Sequence, residues 1–196
     1  MHAAGLTAAS DGNISIRLED RLLITPSGAH KGLLKSGDIL VCDLRGRVIH
    51  GAGRPSTELR MHLLAYRLRP EAAAVIHAHP PLLTALTVAG LAPDARLLPE
   101  IVVLLGEIPV VPYARPGSPR ALRLLAPRLE KFPAVALERH GALAVGRDAA
   151  EALGRLEHLE HLAKVTLAAG LVGLPRPLGP RQLAQLHALA RRLGVR

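Results

Sequence analysis

The stretch Ala73-Ala74-Val75-Ile76-His77-Ala78-His79-Pro80 constrains the fold more than any other part of the chain. Its apolar run suits a short buried strand, and a strand's period of two sends His77 and His79 out of one face before Pro80 ends it. Same-face neighbours lie about 6.5 to 7 Å apart at Cα. From that spacing two imidazoles can reach one metal at about 2.0 to 2.1 Å, and a third nitrogen would complete an open catalytic site. His140 is the candidate third ligand. It lies in residues 135–145, which read as a second apolar strand interrupted by Glu138-Arg139-His140 and by Gly141. A glycine beside a histidine in such a strand predicts that something approaches closely there.

A length of 196 residues with 49% hydrophobic side chains suits one domain with a sizeable core. Cys42 is the only cysteine, so no intrachain disulfide can form, and a reducing cytoplasm fits best. The start Met1-His2-Ala3-Ala4 lacks the regions of a signal peptide, and Pro, Arg or Glu interrupts every long apolar run, so a soluble chain without a membrane span is expected. The net charge of +9 raises a nucleic-acid reading. Its arginines are dispersed, however, and only Tyr66, Tyr113 and Phe132 are aromatic, which leaves little to stack on bases. The one basic concentration, residues 176–196, reads as a solvated helix end.

Along the chain, a small-residue loop turns at Gly12-Asn13 into a strand of alternating apolar residues, Ile14 and Ile16. Leu22-Leu23-Ile24, Ile39-Leu40-Val41-Cys42 and Arg47-Val48-Ile49-His50 read as further strands. Ser56 follows Pro55 and precedes a helical pattern of Leu59, Met61 or His62, Leu63 and Tyr66, so it reads as the N-cap, with Glu58 in the first turn. Asn13, Ser27-Gly28 and Ser56-Thr57 place hydroxyls, amides and glycines on three loops, and such groups together make a phosphate site. Later segments read as helices over residues 82–88 and 118–129, separated by an apolar run over residues 101–111. Asp148-x-x-Glu151 resembles a capping box before a long helix. His158 and His161 on that helix read as part of a solvated face.

The motifs Gly12-Asn13-x-Ser15, Ile24-Thr25-Pro26-Ser27-Gly28, Pro55-Ser56-Thr57-Glu58, His77-Ala78-His79-Pro80, Val111-Pro112-Tyr113 with Pro116-Gly117-Ser118, and His140-Gly141-x-Leu143-x-Val145-Gly146 follow one another in this order. That order resembles the class II aldolase/adducin family, and within it the fuculose-1-phosphate aldolases. The resemblance implies an α/β fold of three layers, α/β/α, around a mostly antiparallel central sheet, with residues 1–196 as a single domain that lacks the family's N-terminal helix. It implies that His77, His79 and His140 hold one Zn²⁺ per chain and that Glu58 is the acid/base. It further implies that Asn13, Ser27, Gly28, Ser56 and Thr57 bind the substrate phosphate, and that Tyr113 enters the neighbouring subunit's site in a homotetramer. The implied reaction is reversible cleavage of a phosphorylated ketose to dihydroxyacetone phosphate and a short aldehyde. The same motifs would serve a methylthioribulose-1-phosphate dehydratase, a pentulose-phosphate 4-epimerase or a sugar-acid-phosphate decarboxylase. Retention of all three histidines and Glu58 disfavours a non-catalytic adducin-like domain. The expected partner is a small phosphorylated sugar, with neither nucleic acid nor membrane.

Overall fold

The computed structural model describes residues 1–195. The strands β1 (Asn13–Leu18), β2 (Arg21–Ile24), β3 (Leu40–Asp43), β4 (Val48–His50), β5 (Ala74–Ala78), β6 (Val110–Val111), β7 (Ala134–Leu137) and β8 (Gly141–Gly146) form one sheet in the order β4-β3-β2-β1-β5-β8-β7-β6. Only the β6–β7 pair runs parallel; the other neighbours are antiparallel. The described α-helices are α1 (Leu59–Leu68), α2 (Pro81–Val88), α3 (Pro99–Leu104), α4 (Pro119–Leu129), α5 (Ala149–Val172) and α6 (Pro180–Arg192).

Helices cover both faces of the central strands, which is why β5, β7 and β8, His77 apart, are apolar rather than alternating with polar residues. The alternation is instead one of size. Ala74, Ile76, Ala78, Ala134, Ala136, Ala142 and Ala144 meet Leu83 and Leu86 of α2 and Leu156, Leu159 and Leu162 of α5. Val75, Val135, Leu137, Leu143 and Val145 point the other way, onto Met61 and Ala65 of α1 and Leu125 and Leu129 of α4. Alanines on the first face let the long helix α5 lie close to the strands, and the larger residues fill the gap to the two shorter helices.

Residues 135–145 are not the single strand their composition suggests. They form the end of β7, a turn at residues 138–140 and most of β8, an antiparallel hairpin with Leu137 opposite Gly141. Arg139 takes a left-handed conformation, φ 57°, to reverse the chain. The apolar run reported burial on two faces and could not report direction; the charged triplet was the turn. His140 therefore lies in the turn, not within a strand. The apolar run at residues 101–111 likewise divides into α3 and β6 around Gly106 and Pro109.

The N-cap of α1 falls two residues after Ser56, where the sequence placed it. Glu58 occupies the N-cap of α1, and Ser56 Oγ instead accepts from the backbone N–H of Glu58 at 3.2 Å. At α5 the cap is half a capping box. Asp148 Oδ1 accepts from Glu151 N at 2.7 Å, but the Glu151 carboxylate accepts from Arg147 N, one residue before the cap.

The close approach expected at Gly141 is present. A Cβ there would lie 2.2 Å from the Ala78 carbonyl oxygen and 3.0 Å from His79 Cα. Gly12, φ 69°, is similarly pressed against the same strand end, where a Cβ would come 2.6 Å from the His77 carbonyl oxygen. Both obstacles are backbone and cannot rotate away. Gly141→Ala is therefore expected to destabilise the protein by about 3 kcal/mol or more, read as a lowered midpoint in urea unfolding, and to displace His79.

Candidate active site

His77 is the fourth residue of β5 and is fully buried; His79 stands just past the strand's end. The His77 Nδ1–H donates to the Ala142 carbonyl oxygen across the β5–β8 ladder at 2.9 Å. This fixes the tautomer and leaves the Nε2 lone pair pointing away from the sheet. His79 is tied at its backbone, where its N–H donates to the Leu6 carbonyl oxygen at 2.9 Å. His79 Nε2 then lies 2.9 Å from His77 Nε2. The hairpin turn delivers His140, and the three ring centroids stand 4.7 to 4.9 Å apart.

One ligand nitrogen from each of these rings lies within 4.8 Å of the others. Burial pushes the pKa of His77 well below the usual imidazole range and lowers that of His79, with the neighbouring His140 adding to both effects. His77 and His79 thus keep neutral lone pairs near pH 7, aimed at a shared point. Three convergent imidazole nitrogens fit a borderline divalent metal. Among the described residues no other trio of His, Cys, Asp or Glu is gathered closely enough for this. His158 is engaged with its own helix, its ring donating to the Gly154 carbonyl oxygen at 2.7 Å.

Glu58 faces the same point from the start of α1. Its Oε2 is 3.2 Å from His77 Nε2 and its Oε1 is 3.8 Å from His140 Nε2, with the side chain 13% exposed. Asn13, cross-strand from His77 on β1, donates its Nδ2–H to Glu58 Oε2 at 3.0 Å. The other end of that amide meets His62, a residue with no assigned part in the sequence reading. Lowered by burial and by the charge His77 would carry, the His62 pKa falls to about 3, so the ring is neutral.

Beside Glu58 and His79 opens a polar cavity of about 150 Å³. All five residues expected at a phosphate, Asn13, Ser27, Gly28, Ser56 and Thr57, line it. A bridge between Pro26 and Pro55 holds two of the three loops side by side. The cavity also contains Lys31 and Asp11, which the sequence reading missed. Lys31 Nζ donates to the carbonyl oxygens of Ser10 and Ala29, both at 2.8 Å, which commits two of its three hydrogens and fixes the ammonium at the cavity wall. Burial lowers its pKa, and the Asp11 carboxylate works against that. Asp11 Oδ2 also lies 3.7 Å from His79 Nδ1, where it favours the tautomer whose Nε2 is bare. Only the position of Lys31, three residues after Gly28, could have suggested it from sequence.

On the far side of Glu58 lies an apolar recess lined by Met61, Val111, Pro112, Leu137 and His140, with the exposed Tyr113 at its mouth. Tyr113 is held there by its backbone N–H, which donates to Glu138 Oε2 at 2.8 Å. Glu58 thus borders both cavities, with His79 on the polar one and His140 on the apolar one.

The profile of the family described as "Class II Aldolase and Adducin N-terminal domain" matches residues 1–167. The chain belongs to the class II aldolase family. Among its members, the 3-oxo-tetronate 4-phosphate decarboxylase of Haemophilus influenzae is 38% identical over 129 residues, 63% of this chain and 61% of that protein. The chain thus matches somewhat less than two thirds of that relative's length. The methylthioribulose-1-phosphate dehydratase of Granulibacter bethesdensis is 43% identical over 100 residues, 50% of this chain and 45% of that protein. Among solved structures, YgbL of Escherichia coli superposes with a TM-score of 0.87 at 33% identity, covering 94% of this chain and 91% of its own. An L-fuculose 1-phosphate aldolase superposes with a TM-score of 0.83 at 29% identity, covering 98% and 90%. The class II aldolase fold, α/β around a mostly antiparallel sheet, is therefore the fold of this chain. No described helix is long and apolar enough to cross a membrane.

Proposed function

We propose that this protein is a zinc-dependent lyase that breaks a carbon–carbon bond next to the carbonyl of a small phosphorylated sugar or sugar acid. The observation that carries the reading is the placement of Glu58, within 3.2 Å of His77 Nε2 and on the wall of the cavity that holds Ser27, Ser56, Thr57 and Lys31. A substrate anchored by its phosphate in that cavity brings its carbonyl to the three histidines and its transferable proton to the Glu58 carboxylate. Zinc held by His77, His79 and His140 would polarise the carbonyl and offset the negative charge that develops on its oxygen. The hydroxyls of Ser27, Ser56 and Thr57 and the Lys31 ammonium bind a dianion, and Glu58 holds or returns the proton at the carbon next to the carbonyl. Phosphate binding far from the reacting carbon supports turnover, because it holds that carbon at the carboxylate.

Decarboxylation of a 3-oxo-tetronate 4-phosphate is the first reading, supported by the similarity to the Haemophilus influenzae enzyme. Loss of carbon dioxide, unlike retro-aldol cleavage, needs no base to take the proton of a substrate hydroxyl. Retro-aldol cleavage of a fuculose-1-phosphate-type ketose is the second reading. It is favoured by the apolar recess beyond Glu58, which suits the alkyl end of a short aldehyde; in a homotetramer the exposed Tyr113 would act in a neighbouring subunit's site. Zinc-loaded protein is expected to release carbon dioxide from 3-oxo-tetronate 4-phosphate at least about tenfold more efficiently, by kcat/KM, than it cleaves L-fuculose 1-phosphate or dehydrates methylthioribulose 1-phosphate. Preference for fuculose 1-phosphate would replace the first reading by the second. Preference for dehydration would remove both, and inactivity on all three would sink the lyase assignment.

A further inference from the structure

Behind Glu58 the structure buries a polar cluster that takes no direct part in the chemistry above. His62 is fully buried, Ser15 is 1% exposed and Tyr66 is 5% exposed. Polar groups taken from water at this depth are costly unless each finds a partner. Here they do, and the partners form one directed chain. His62 Nε2 meets Asn13 Oδ1 at 2.5 Å, His62 Nδ1 meets Ser15 Oγ at 2.6 Å, and the Tyr66 hydroxyl meets both Ser15 Oγ and the Ser15 carbonyl oxygen at 2.9 Å.

The proton positions follow by elimination from the carboxylate outward. An ionised Glu58 only accepts, so the Asn13 atom 3.0 Å from its Oε2 must be the amide nitrogen. The Asn13 oxygen then faces His62 Nε2, which must carry the hydrogen. His62 Nδ1 is left as acceptor and takes the Ser15 hydroxyl hydrogen. Ser15 has no second hydrogen, so Tyr66 donates to it and shares that hydrogen with the Ser15 carbonyl oxygen. Only one arrangement of hydrogens satisfies every group.

We propose that His62 is a positioning residue for the Glu58 carboxylate: anchored by Ser15 and Tyr66, it locks the Asn13 amide in the one orientation that donates to Glu58. This inference rests on Glu58 being the acid/base of the reaction. Glu58, His62 and Tyr66 succeed one another at four-residue spacing, so α1 presents all three on one face toward β1. β1 answers with Asn13 and Ser15, two residues apart on its α1-facing side. Without the His62 Nε2–H, the Asn13 amide is free to turn its oxygen toward Glu58, and the carboxylate loses its support.

Two substitutions separate this role from packing. His62→Gln keeps an N–H donor near the Nε2 position, whereas His62→Asn keeps one only near Nδ1. In zinc-loaded protein with the substrate found active, His62→Asn is expected to lower kcat about 10- to 100-fold with KM and bound zinc near wild type. His62→Gln should restore most of that loss. Equal activity in the two variants, whether both high or both low, would overturn the proposal. A second measurement does not depend on activity or on the variants' folding. In ¹⁵N-histidine-labelled wild type near pH 7, His62 should show a protonated Nε2 and an unprotonated Nδ1. The opposite tautomer would overturn the relay. Full activity of Glu58→Gln would instead remove the acid/base reading while leaving the tautomer result intact.

Discussion

Replacing His77, His79 or His140 by alanine is expected to strip the metal and lower turnover by about a thousandfold or more, because carbonyl polarisation is lost with the ion. Wild-type protein should carry about one zinc per chain by elemental analysis, and the three substitutions should not be equivalent in stability. His77 is fully buried and bonded to Ala142, so truncating it leaves a cavity and removes the hydrogen bond to that carbonyl, at a cost of about 2 to 4 kcal/mol. His79, whose side chain is 27% exposed, stands outside the ladder and should lose metal with little change in folding. His140→Ala should behave as His79→Ala does, since its side chain is 22% exposed in a turn. A triple variant that kept stoichiometric zinc would show that the metal binds elsewhere.

Glu58→Gln is expected to retain zinc and fold while losing about 10²- to 10⁴-fold in kcat. Glutamine preserves the acceptor oxygen that Asn13 needs, so the surrounding hydrogen bonds survive and only proton transfer is removed. Exchange with solvent of the hydrogen next to the carbonyl in a bound product isolates that step, since bond cleavage is not required for it. Wild type should wash the label out and Glu58→Gln should not. If the glutamine variant exchanges the hydrogen at the wild-type rate, the base is another group, and Glu58 serves only the geometry around the histidines.

Much of this site was legible before any fold was known. His77 and His79 were placed by the period of a strand, a local rule that tertiary structure had no reason to overturn, and the spacing held even though β5 stops at Ala78. The residues Asn13, Ser27, Gly28, Ser56 and Thr57 do gather around one cavity, because the turn chemistry that marks each loop is also what exposes polar groups at a strand or helix end. The reversal at residues 138–140 was misread, since an apolar run signals burial and is silent about chain direction. The N-cap of α1 fell on Glu58, because a turn at residues 57–58 captured the Ser56 hydroxyl first.

By itself the sequence determined strands β1 to β5, the common facing of His77 and His79 at the end of β5 and the loops that carry hydroxyls, all of which follow from periods and turn preferences acting over a few residues. Which side of β1 would be buried was decided only in three dimensions. Ile14 and Ile16, the alternating apolar residues of that strand, remain half-buried, while Asn13 and Ser15 on the other side are nearly inaccessible. The reason is that α1 lays Glu58, His62 and Tyr66 over β1, and their hydrogen bonds make polar residues the stable occupants of the interior there. Lys31 joined the site in the same way, by a loop fold that ties its ammonium to the carbonyl oxygens of Ser10 and Ala29. Hydrophobic pattern predicts burial when water is the only alternative partner; it fails where another element supplies the hydrogen bonds.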